Sequence, residues 1–414
     1  MQRDYIFIKF KIYYIKKYTE EFMKKIISAI LIISLLSSFC IIINAENRQK
    51  DGAEYSTVPI DNDLSLDVRS AYLIEASTGK VLYAQNEYDS ASPASVTKIM
   101  TLLLVCEAIE KGKISLTDKV TVSANAASMG GSQVFLEEGE RFSVEELIKC
   151  TVIASGNDSA VALAEHTAGS ESAFVKLMNA RARELGLKST SFENTTGLDD
   201  TTVNHYSCAA DIAKMSRELI KHQVILKYSG IWQDSIRNGE FVLTNTNRLV
   251  RYYDGCDGLK TGSTDKAGFC VSATAKRGNM RLIAVIMGAE TSAARNQAAR
   301  ELLDFGFANY ALYERGEEFI EQCKVSKGRL DNIPLYSTPF SCVIDKAKQS
   351  LVELEYDIPE NLVAPIQKGT VVGCVIYKLD GEQIGKSDIF ASSEIEKIQL
   401  LDLWGRIIKR MICN

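Results

Sequence analysis

The residues best suited to chemistry are a hydroxyl and an amine three positions apart, Ser95 and Lys98. They stand at the start of a helix-compatible segment, residues 94–109, with Pro93 suited to its entry and Gly112 to its end. A spacing of three puts both side chains on one helix face, with Cβ atoms roughly 5–6 Å apart. Apolar neighbours and the positive helix N-terminus would both disfavour an ammonium and lower the pKa of Lys98. The pair predicts a serine nucleophile activated by a lysine base, although the same spacing also occurs by chance on protein surfaces.

Two later stretches offer partners for this pair. Ser155-Gly156-Asn157 lies between two predicted helices, where a second hydroxyl and an amide would face the first pair; helix capping is the alternative use of such residues. Residues 258–262 begin a strand-like segment in which Lys260 is followed by small residues, so that a substrate can approach the backbone closely. The alternative interpretation of this second stretch is an edge-strand turn with a solvated lysine.

The elements around these stretches predict an α+β fold. Residues 71–84 indicate a β-hairpin that leads into the Ser95 helix, and residues 269–274 and 280–287 indicate central strands that complete the same antiparallel sheet. Further helices are predicted from a Ser143–Glu146 capping box to about Ile153, over 158–166, after a Ser170 cap to Gly186, and over 293–310. We therefore predict an antiparallel sheet flanked by helices over residues 66–312, preceded by a linker at residues 46–65.

A small all-β domain is predicted over residues 313–391, where short alternating segments are broken by Gly and Pro. Within it, Asp380-Gly381 separates two strand-like runs and is a strong hairpin signal.

Residues 392–414 are predicted to contain an amphipathic helix. Its helical part, residues 398–412, is about 22 Å long and thus too short to span a bilayer. A cationic polar face and the central Trp404 suit a helix that lies in a membrane surface, and docking on a domain core is the alternative. The apolar side comprises Leu400, Leu401, Leu403, Trp404, Ile407, Ile408, Met411 and Ile412.

Residues 1–45 are predicted to be an N-terminal extension and a signal peptide. Met23-Lys24-Lys25 precedes an apolar run over residues 26–43, and cleavage is predicted after Ala45; an uncleaved anchor is the alternative. The bulky residue before Cys40 and the apolar residues after it argue against a lipoprotein. The body of the protein is therefore predicted to be exported, peripheral to the extracytoplasmic face of the cell membrane.

Composition narrows the function further. The chain has 414 residues, enough for two domains, and its net charge of -5 argues against a nucleic-acid partner. With 3 histidines, a histidine triad or a histidine-ligated metal site is not expected, and we predict no metal and no organic cofactor. The 10 cysteines include no Cys-x-x-Cys, and an odd number remain once Cys40 is set aside, so we predict mostly free thiols that fill the core.

Three motifs occur in the order Ser-x-x-Lys, Ser-x-Asn and Lys-Thr-Gly, the set typical of penicillin-binding proteins and class A β-lactamases. On these motifs the chain resembles the low-molecular-mass penicillin-binding proteins that are D-alanyl-D-alanine carboxypeptidases, over about residues 66–391 and into the tail. The resemblance implies a β-lactamase/transpeptidase-like fold followed by a β domain and an amphipathic tail. Supporting stretches are Phe192-Glu193-Asn194, Gly197-Leu198-Asp199, His205-Tyr206-Ser207 and Asp257-Gly258-Leu259.

The resemblance implies catalytic roles for the matched residues. Ser95 would attack the carbonyl of the penultimate D-Ala, with Lys98 as base, and form an acyl-enzyme that water hydrolyses after the terminal D-Ala has left. Ser155 would relay a proton to the leaving amine. Asn157 would hold the peptide or orient Lys98.

It also implies how the substrate is bound. Lys260 and Thr261 would bind the terminal carboxylate, with Arg248 assisting. The oxyanion hole would consist of the backbone N–H groups of Ser95 and of Ser263, the residue that follows Gly262. The partners implied are peptidoglycan stem peptides, β-lactams as covalent inhibitors, and a membrane surface through the C-terminal helix.

Two departures and three alternatives remain at this point. The family often has threonine where Cys208 stands, and the residue after Lys-Thr-Gly varies, being Ser263 here; both leave substrate preference open. A β-lactamase would need a dedicated deacylating glutamate, which nothing in the sequence marks. A DD-endopeptidase shares the acyl-enzyme, and a non-catalytic binder of cell-wall peptides or penicillin would not need the intact serine and lysines.

Overall fold

The computed structural model describes residues 64–200 and 202–400, with Asp402 and Trp404 beyond them. The predicted leader, the linker up to residue 63 and most of the predicted C-terminal helix lie outside these residues. Among the helices of the described residues, none is long and apolar enough to cross a membrane.

A five-stranded antiparallel sheet forms the centre of the larger domain. The strands of this domain are β1 (Ser70–Glu75), β2 (Val81–Gln85), β3 (Lys119–Thr121), β4 (Arg141–Ser143), β5 (Gln233–Ile236), β6 (Phe241–Thr244), β7 (Cys256–Thr264), β8 (Gly268–Arg277) and β9 (Met280–Ala289). The central sheet pairs five of them in the order β2-β1-β9-β8-β7. The predicted hairpin over residues 71–84 and the two predicted central strands are confirmed. Among the described strands, β7, which carries Lys-Thr-Gly, lies at an edge of this sheet.

Helices cover both faces of this sheet. The capping box of Ser143 and Glu146 is confirmed, as is the cap in which Ser170 Oγ accepts a hydrogen bond from the N–H of Ala173. The predicted α+β class with helices against an antiparallel sheet is therefore confirmed. The helices are α1 (Lys98–Glu110), α2 (Ala124–Ala127), α3 (Val144–Ile153), α4 (Asn157–Ala168), α5 (Glu171–Glu184), α6 (Ala209–Leu219), α7 (Gln223–Ser229), α8 (Leu249–Tyr252) and α9 (Ser292–Asn309).

The two faces of the sheet belong to two apolar cores. Successive residues of a strand point to opposite faces, so Tyr72 and Ile74 of β1 join the core that also contains α1. Ala71 and Leu73 join the other core, which contains Leu302 of α9. Because both faces are buried, a shift of one residue in register would place every strand side chain in the wrong core, and the sheet has one well-defined register.

The segment that carries Ser95 and Lys98 differs from the prediction in one respect. Residues 94–97 form a 3-10 turn, and the α-helix begins only at Lys98. Ala94 has a φ of 46°, in the left-handed region, so a continuous right-handed helix cannot begin there. The predicted helix start is therefore wrong by one turn. Its burial was predicted correctly, because α1 has apolar buried residues on all sides.

A second, all-β part follows α9. The predicted hairpin is confirmed, since Leu379 pairs with Glu382 around Asp380 and Gly381, whose positive φ values of 54° and 80° suit a type I′ turn. The strands of this part are β10 (Tyr310–Arg315), β11 (Glu318–Ser326), β12 (Asn332–Ser337), β13 (Phe340–Asp345), β14 (Glu353–Asp357), β15 (Asn361–Val363), β16 (Val371–Leu379) and β17 (Glu382–Ala391). Six of them form one sheet in the order β14-β16-β17-β12-β11-β15. Strand β10, which spans the predicted domain limit at residue 312, pairs with β13.

The cysteines of the described residues are free, as predicted. Burial raises the pKa of Cys106 to about 12 and that of Cys270 to about 11, which keeps both as inert thiols. The buried ones are Cys106, Cys150, Cys208, Cys256, Cys270, Cys323 and Cys342, and Cys374 is half-buried.

Candidate active site

Ser95 and Lys98 lie together at the entry to α1. The amine Nζ of Lys98 lies 2.9 Å from Ser95 Oγ, 2.6 Å from Asn157 Oδ1 and 2.9 Å from the carbonyl oxygen of Thr196. Lys98 is 0% exposed, whereas Ser95 is partly exposed and lines the cleft described below. The amine is thus held by two carbonyl-type acceptors and directed at the serine hydroxyl.

The environment of Lys98 disfavours its charge. Burial, which removes water from the ammonium, lowers the pKa of Lys98 well below its ordinary value, and the nearby Lys260 ammonium lowers it further. The carboxylate of Asp158 acts in the opposite direction. The lowered pKa predicted from the apolar sequence around Lys98 is therefore confirmed, with burial as its main cause.

A second serine–lysine pair faces the first. Lys260 Nζ donates hydrogen bonds to Ser155 Oγ at 2.8 Å and to the carbonyl of Thr261 at 2.8 Å. The side chain of Lys260 is 1% exposed, which excludes the alternative of a solvated lysine. Burial, followed by repulsion from Arg295, lowers the pKa of Lys260 to about 7. Lys260 can therefore change its charge near neutral pH.

The turn between α3 and α4 aims Ser155 and Asn157 at the two lysines. Ser155 has a φ of 64°, a left-handed conformation that reverses the chain before α4. Asn157 is fixed by its N–H, which donates to the carbonyl of Ser132 at 2.7 Å, and by Nδ2, which donates to the carbonyl of Gly130 at 2.6 Å. The amide therefore has one orientation, with Oδ1 toward Lys98.

Strand β7 passes very close to the backbone of the nucleophile. A Cβ added at Gly262 would lie 2.8 Å from the backbone nitrogen of Ser95 and 2.9 Å from the carbonyl oxygen of Pro93. Only glycine permits this approach, which accounts for the last residue of Lys-Thr-Gly. As a result Ser95 and Ser263 line the same cleft from two sides.

The cleft between these elements has a volume of about 650 Å³. Predicted residues that line it are Ser95, Ser155, Thr261, Gly262, Ser263 and Arg248, while Lys98, Asn157 and Lys260 lie behind them through the hydrogen bonds given above. Thr261 Oγ1 also donates to Thr246 Oγ1 at 2.8 Å. In the part of the chain that the structure describes, no group of three or more His, Cys, Asp and Glu side chains is arranged to hold a metal ion.

Arg295 is a charged cleft residue that the sequence analysis did not predict. Arg295, in the first turn of α9, lines the cleft yet is only 5% exposed, and its guanidinium bonds Ser292 Oγ and Asn296 Oδ1 rather than a carboxylate. Burial and the neighbouring Arg248 lower its pKa to about 10. A signal was present in the sequence, because Arg295 lies three and four residues before Ala298 and Ala299, on the apolar face of the helix.

The motif Phe192-Glu193-Asn194 and its neighbours also reach the site in a way the sequence did not predict. The carbonyl of Thr196 accepts the hydrogen bond from Lys98, and a Cβ added at Gly197 would lie 1.8 Å from the carbonyl oxygen of Ala94. Residue types do not indicate which backbone carbonyl will accept a hydrogen bond, so the sequence did not predict the Thr196 carbonyl as an acceptor for Lys98.

Comparisons with known proteins agree with this geometry. A family model described as "D-alanyl-D-alanine carboxypeptidase" matches residues 57–291, more than half of the chain. The chain belongs to the D-alanyl-D-alanine carboxypeptidase family. A second model, described as "Penicillin-binding protein 5, C-terminal domain", matches residues 307–397 of this carboxypeptidase and thus its β domain. The resemblance stated from the three motifs is confirmed.

Relatives support the assignment over nearly the whole chain. This carboxypeptidase is 45% identical over 383 residues to the Bacillus subtilis protein named D-alanyl-D-alanine carboxypeptidase DacF, covering 91% of this chain and 95% of the relative. The crystal structure of penicillin-binding protein 5 from Haemophilus influenzae superposes with a TM-score of 0.71 at 33% identity, covering 81% of this chain and 99% of the other. Penicillin-binding protein D2 from Listeria monocytogenes, solved with ampicillin bound, gives a TM-score of 0.55 at 30% identity over 59% of this chain and 99% of its own.

The family gives the reaction class. This carboxypeptidase is a serine-type hydrolase that removes the terminal D-Ala from peptidoglycan stem peptides, and it is a penicillin-binding protein. The family acts on peptidoglycan peptides and binds β-lactams. Because peptidoglycan lies outside the cytoplasmic membrane, the enzyme acts there.

Proposed function

We propose that the acyl-enzyme forms on Ser95 and that Lys98 is the general base. The observation that carries this proposal is the set of contacts at Lys98 Nζ. A neutral amine has two N–H donors and one lone pair. Asn157 Oδ1 and the Thr196 carbonyl can take up the two donors, which leaves the lone pair for the proton of the Ser95 hydroxyl 2.9 Å away.

The proton taken by Lys98 goes to the leaving group. Ser95 Oγ bonds to the carbonyl carbon of the penultimate D-Ala and forms a tetrahedral intermediate. When this intermediate collapses, the bond to the terminal D-Ala nitrogen breaks. Ser155 relays a proton to that nitrogen, and the pair of Ser155 with Lys260 supports this assignment because the hydroxyl is already oriented by the lysine amine. Water then attacks the ester carbonyl carbon with Lys98 as base, the bond from that carbon to Ser95 Oγ breaks, and Lys98 returns the proton to Ser95 Oγ while the second product leaves with a free carboxylate.

Substrate binding is assigned to the opposite wall of the cleft. Lys260 and Thr261 bind the terminal carboxylate, and Arg248 assists from the rim. To this predicted set we add Arg295, because a guanidinium without a carboxylate partner in the described residues, buried beside the same cavity, is suited to an anion. The backbone N–H groups of Ser95 and Ser263 stabilise the oxyanion, a role favoured by the close approach of Gly262 to Ser95.

Mass spectrometry after incubation with labelled penicillin tests the nucleophile. We expect one adduct, on the peptide that contains Ser95, and release of D-Ala from a peptide ending in Lys-D-Ala-D-Ala. Ser95→Ala should abolish both, while Ser172→Ala, at an exposed serine of α5, should change neither. D-Ala release by Ser95→Ala at the wild-type rate would refute the assignment.

We further propose that the protein is peripheral to the extracytoplasmic face of the membrane, held there by residues beyond the β domain. Leu400 and Trp404, which belong to the predicted apolar side, are 75% and 59% exposed. The division into leader (1–45), linker (46–65), peptidase domain (66–312), β domain (313–391) and amphipathic tail (392–414) remains part of this proposal.

Ile395 is buried in the β-domain core, so a truncation should begin at residue 399. Removing residues 399–414 should shift the mature protein from the membrane to the soluble fraction, and unchanged sedimentation with membranes would refute the anchor.

A further inference from the structure

Asp199, in the loop that follows the Phe192-Glu193-Asn194 motif, joins the two sides of the cleft. Its Oδ2 accepts one hydrogen bond from Ser92 Oγ at 2.8 Å and another from Thr264 Oγ1 at 2.6 Å. Ser92 lies three residues before Ser95, and Thr264 directly follows Ser263. One carboxylate oxygen thus connects the two backbone segments that supply the oxyanion hole of the proposed mechanism.

We propose that Asp199 is a positioning residue that sets the distance between the backbone N–H groups of Ser95 and Ser263. The inference rests on the proposed function, because it assigns those two N–H groups to the oxyanion.

Both segments lie at the end of a secondary-structure element, where a contact to a third segment can fix their relative position. Ser92 and Ala94 precede α1, and the φ of 46° at Ala94 is a strained conformation that neighbouring contacts must hold. On the other side, Ser263 and Thr264 end β7, which lies at the edge of the sheet formed by the described strands and pairs there with β8. A strained turn and a strand end can each shift by some tenths of an ångström, and the oxyanion hole tolerates little displacement.

Asp199 is presented by a loop that is itself fixed against the nucleophile segment. Asn194 Oδ1 accepts hydrogen bonds from the N–H groups of Thr196 and Gly197, and Gly197 lies against the carbonyl of Ala94. His205 bonds Thr97 Oγ1 through Nε2 at 2.8 Å. The loop therefore contacts the nucleophile segment on both sides of Ser95, through Asp199 at Ser92 and through His205 at Thr97.

The hydroxyl of Thr264 has a defined direction. It accepts a hydrogen bond from the N–H of Ala267 at 3.1 Å, which leaves its proton for Asp199. Two hydroxyl donors to a single carboxylate oxygen are charge-assisted hydrogen bonds, stronger than those to a neutral acceptor. One carboxylate oxygen therefore holds a hydroxyl of each segment through two charge-assisted hydrogen bonds.

Kinetics of Asp199→Leu and Asp199→Asn in the full chain test the proposal. Leucine has a similar size and no acceptor, so we expect kcat for D-Ala release to fall by about 10- to 100-fold, with KM changed by less than about threefold because Lys260 and Thr261 are untouched. The rate constant for acylation by penicillin should fall by the same factor. Asparagine keeps a carbonyl oxygen that can accept both hydroxyls, so we expect it to restore most of the loss.

A matched control separates positioning from fold stability. Asp211 in α6 also accepts two hydrogen bonds, from the N–H of Ser189 and from Thr190 Oγ1, and it does not line the cleft. Asp211→Leu, which removes the acceptor in the same way as Asp199→Leu, should lower the melting temperature and leave kcat unchanged. If Asp199→Leu does not fold, Ser92→Ala and Thr264→Val each remove one arm of the contact and should each lower kcat several-fold at constant KM.

The outcomes are distinct. Asp199→Leu with kcat within twofold of the wild type overturns the proposal, as does Asp211→Leu with a loss of kcat equal to that of Asp199→Leu. Wild-type protein that releases no D-Ala and forms no penicillin adduct overturns the proposed function and this inference together. Wild-type activity with an unaffected Asp199→Leu overturns the inference alone.

Discussion

The two serine–lysine pairs use the same residue types in different ways. Ser95 and Lys98 are three residues apart, whereas Ser155 and Lys260 are 105 residues apart and meet only in the fold. Both amines are almost fully buried, and burial is the main cause that lowers the pKa of each, that of Lys98 well below its ordinary value and that of Lys260 to about 7. The two amines differ in the groups that they face.

The partners of each amine decide its proposed role. Lys98 is directed at a hydroxyl by Asn157 and a carbonyl, and it carries the further repulsion of Lys260, so it is suited to accept a proton. Lys260 lies beside Thr261 on the wall of the cleft where the carboxylate of the substrate is proposed to bind. An incoming carboxylate would raise the pKa of Lys260 and keep it charged. Two lysines whose environments differ in this way can serve as base and as anion ligand at one pH.

The strongest test of this comparison is removal of the base. Lys98→Met should lower kcat for D-Ala release by about 10²- to 10⁴-fold, the contribution usual for a general base. Lys98→Arg should be as inactive, because a guanidinium stays charged and cannot take the serine proton. Lys113→Met, at an exposed lysine after α1, is the matched control and should be fully active. Substantial activity in Lys98→Arg would mean that Lys98 contributes only charge.

A smaller effect of another kind is expected at the second lysine. Lys260→Gln removes a charged hydrogen-bond donor for the carboxylate, worth about 1.5–3 kcal/mol, so KM for a peptide with a free C-terminus should rise roughly 10- to 150-fold. The fall in kcat should be smaller than at Lys98. Steady-state kinetics of D-Ala release give both constants. A Lys260→Gln variant that loses kcat with KM unchanged would contradict the role of Lys260 as a ligand of the substrate carboxylate.

The pH profile gives the finest distinction. Lys98 must be neutral, so kcat/KM should fall as pH decreases through its lowered pKa. Lys260 must be charged, so kcat/KM should fall about tenfold per pH unit as pH rises above about 7. Lys260→Arg should move this alkaline limb upward because guanidinium stays charged. Lys260→Gln should raise the pH of the acidic limb, since the ammonium that disfavours a charged Lys98 is gone; an unmoved acidic limb would argue against electrostatic contact between the pairs.

The sequence predicted the parts of the site that depend on residue type and local spacing. Ser95 and Lys98 meet because three residues separate them along one turn, and this holds even though the turn is 3-10 rather than α-helical. The hairpin at Asp380-Gly381 and the capping box at Ser143 are equally local, and both were found. Arg295 and the Thr196 carbonyl were missed, because an arginine on an apolar helix face and a backbone oxygen acquire their meaning from distant neighbours.

Taken by itself, the sequence determined the chemistry available: a serine beside a lysine with lowered pKa, a second hydroxyl and amide, and a small-residue strand with a cation. Only the tertiary structure decided which of these motifs lie within hydrogen-bond distance of one another and how deeply each lysine is buried. It brought Ser155 to Lys260, pressed Gly262 against Ser95 and joined Ser92 to Thr264 through Asp199. The physical reason is that desolvation and hydrogen-bond geometry depend on what surrounds a group in space, whereas residue spacing fixes only neighbours within a turn or a strand.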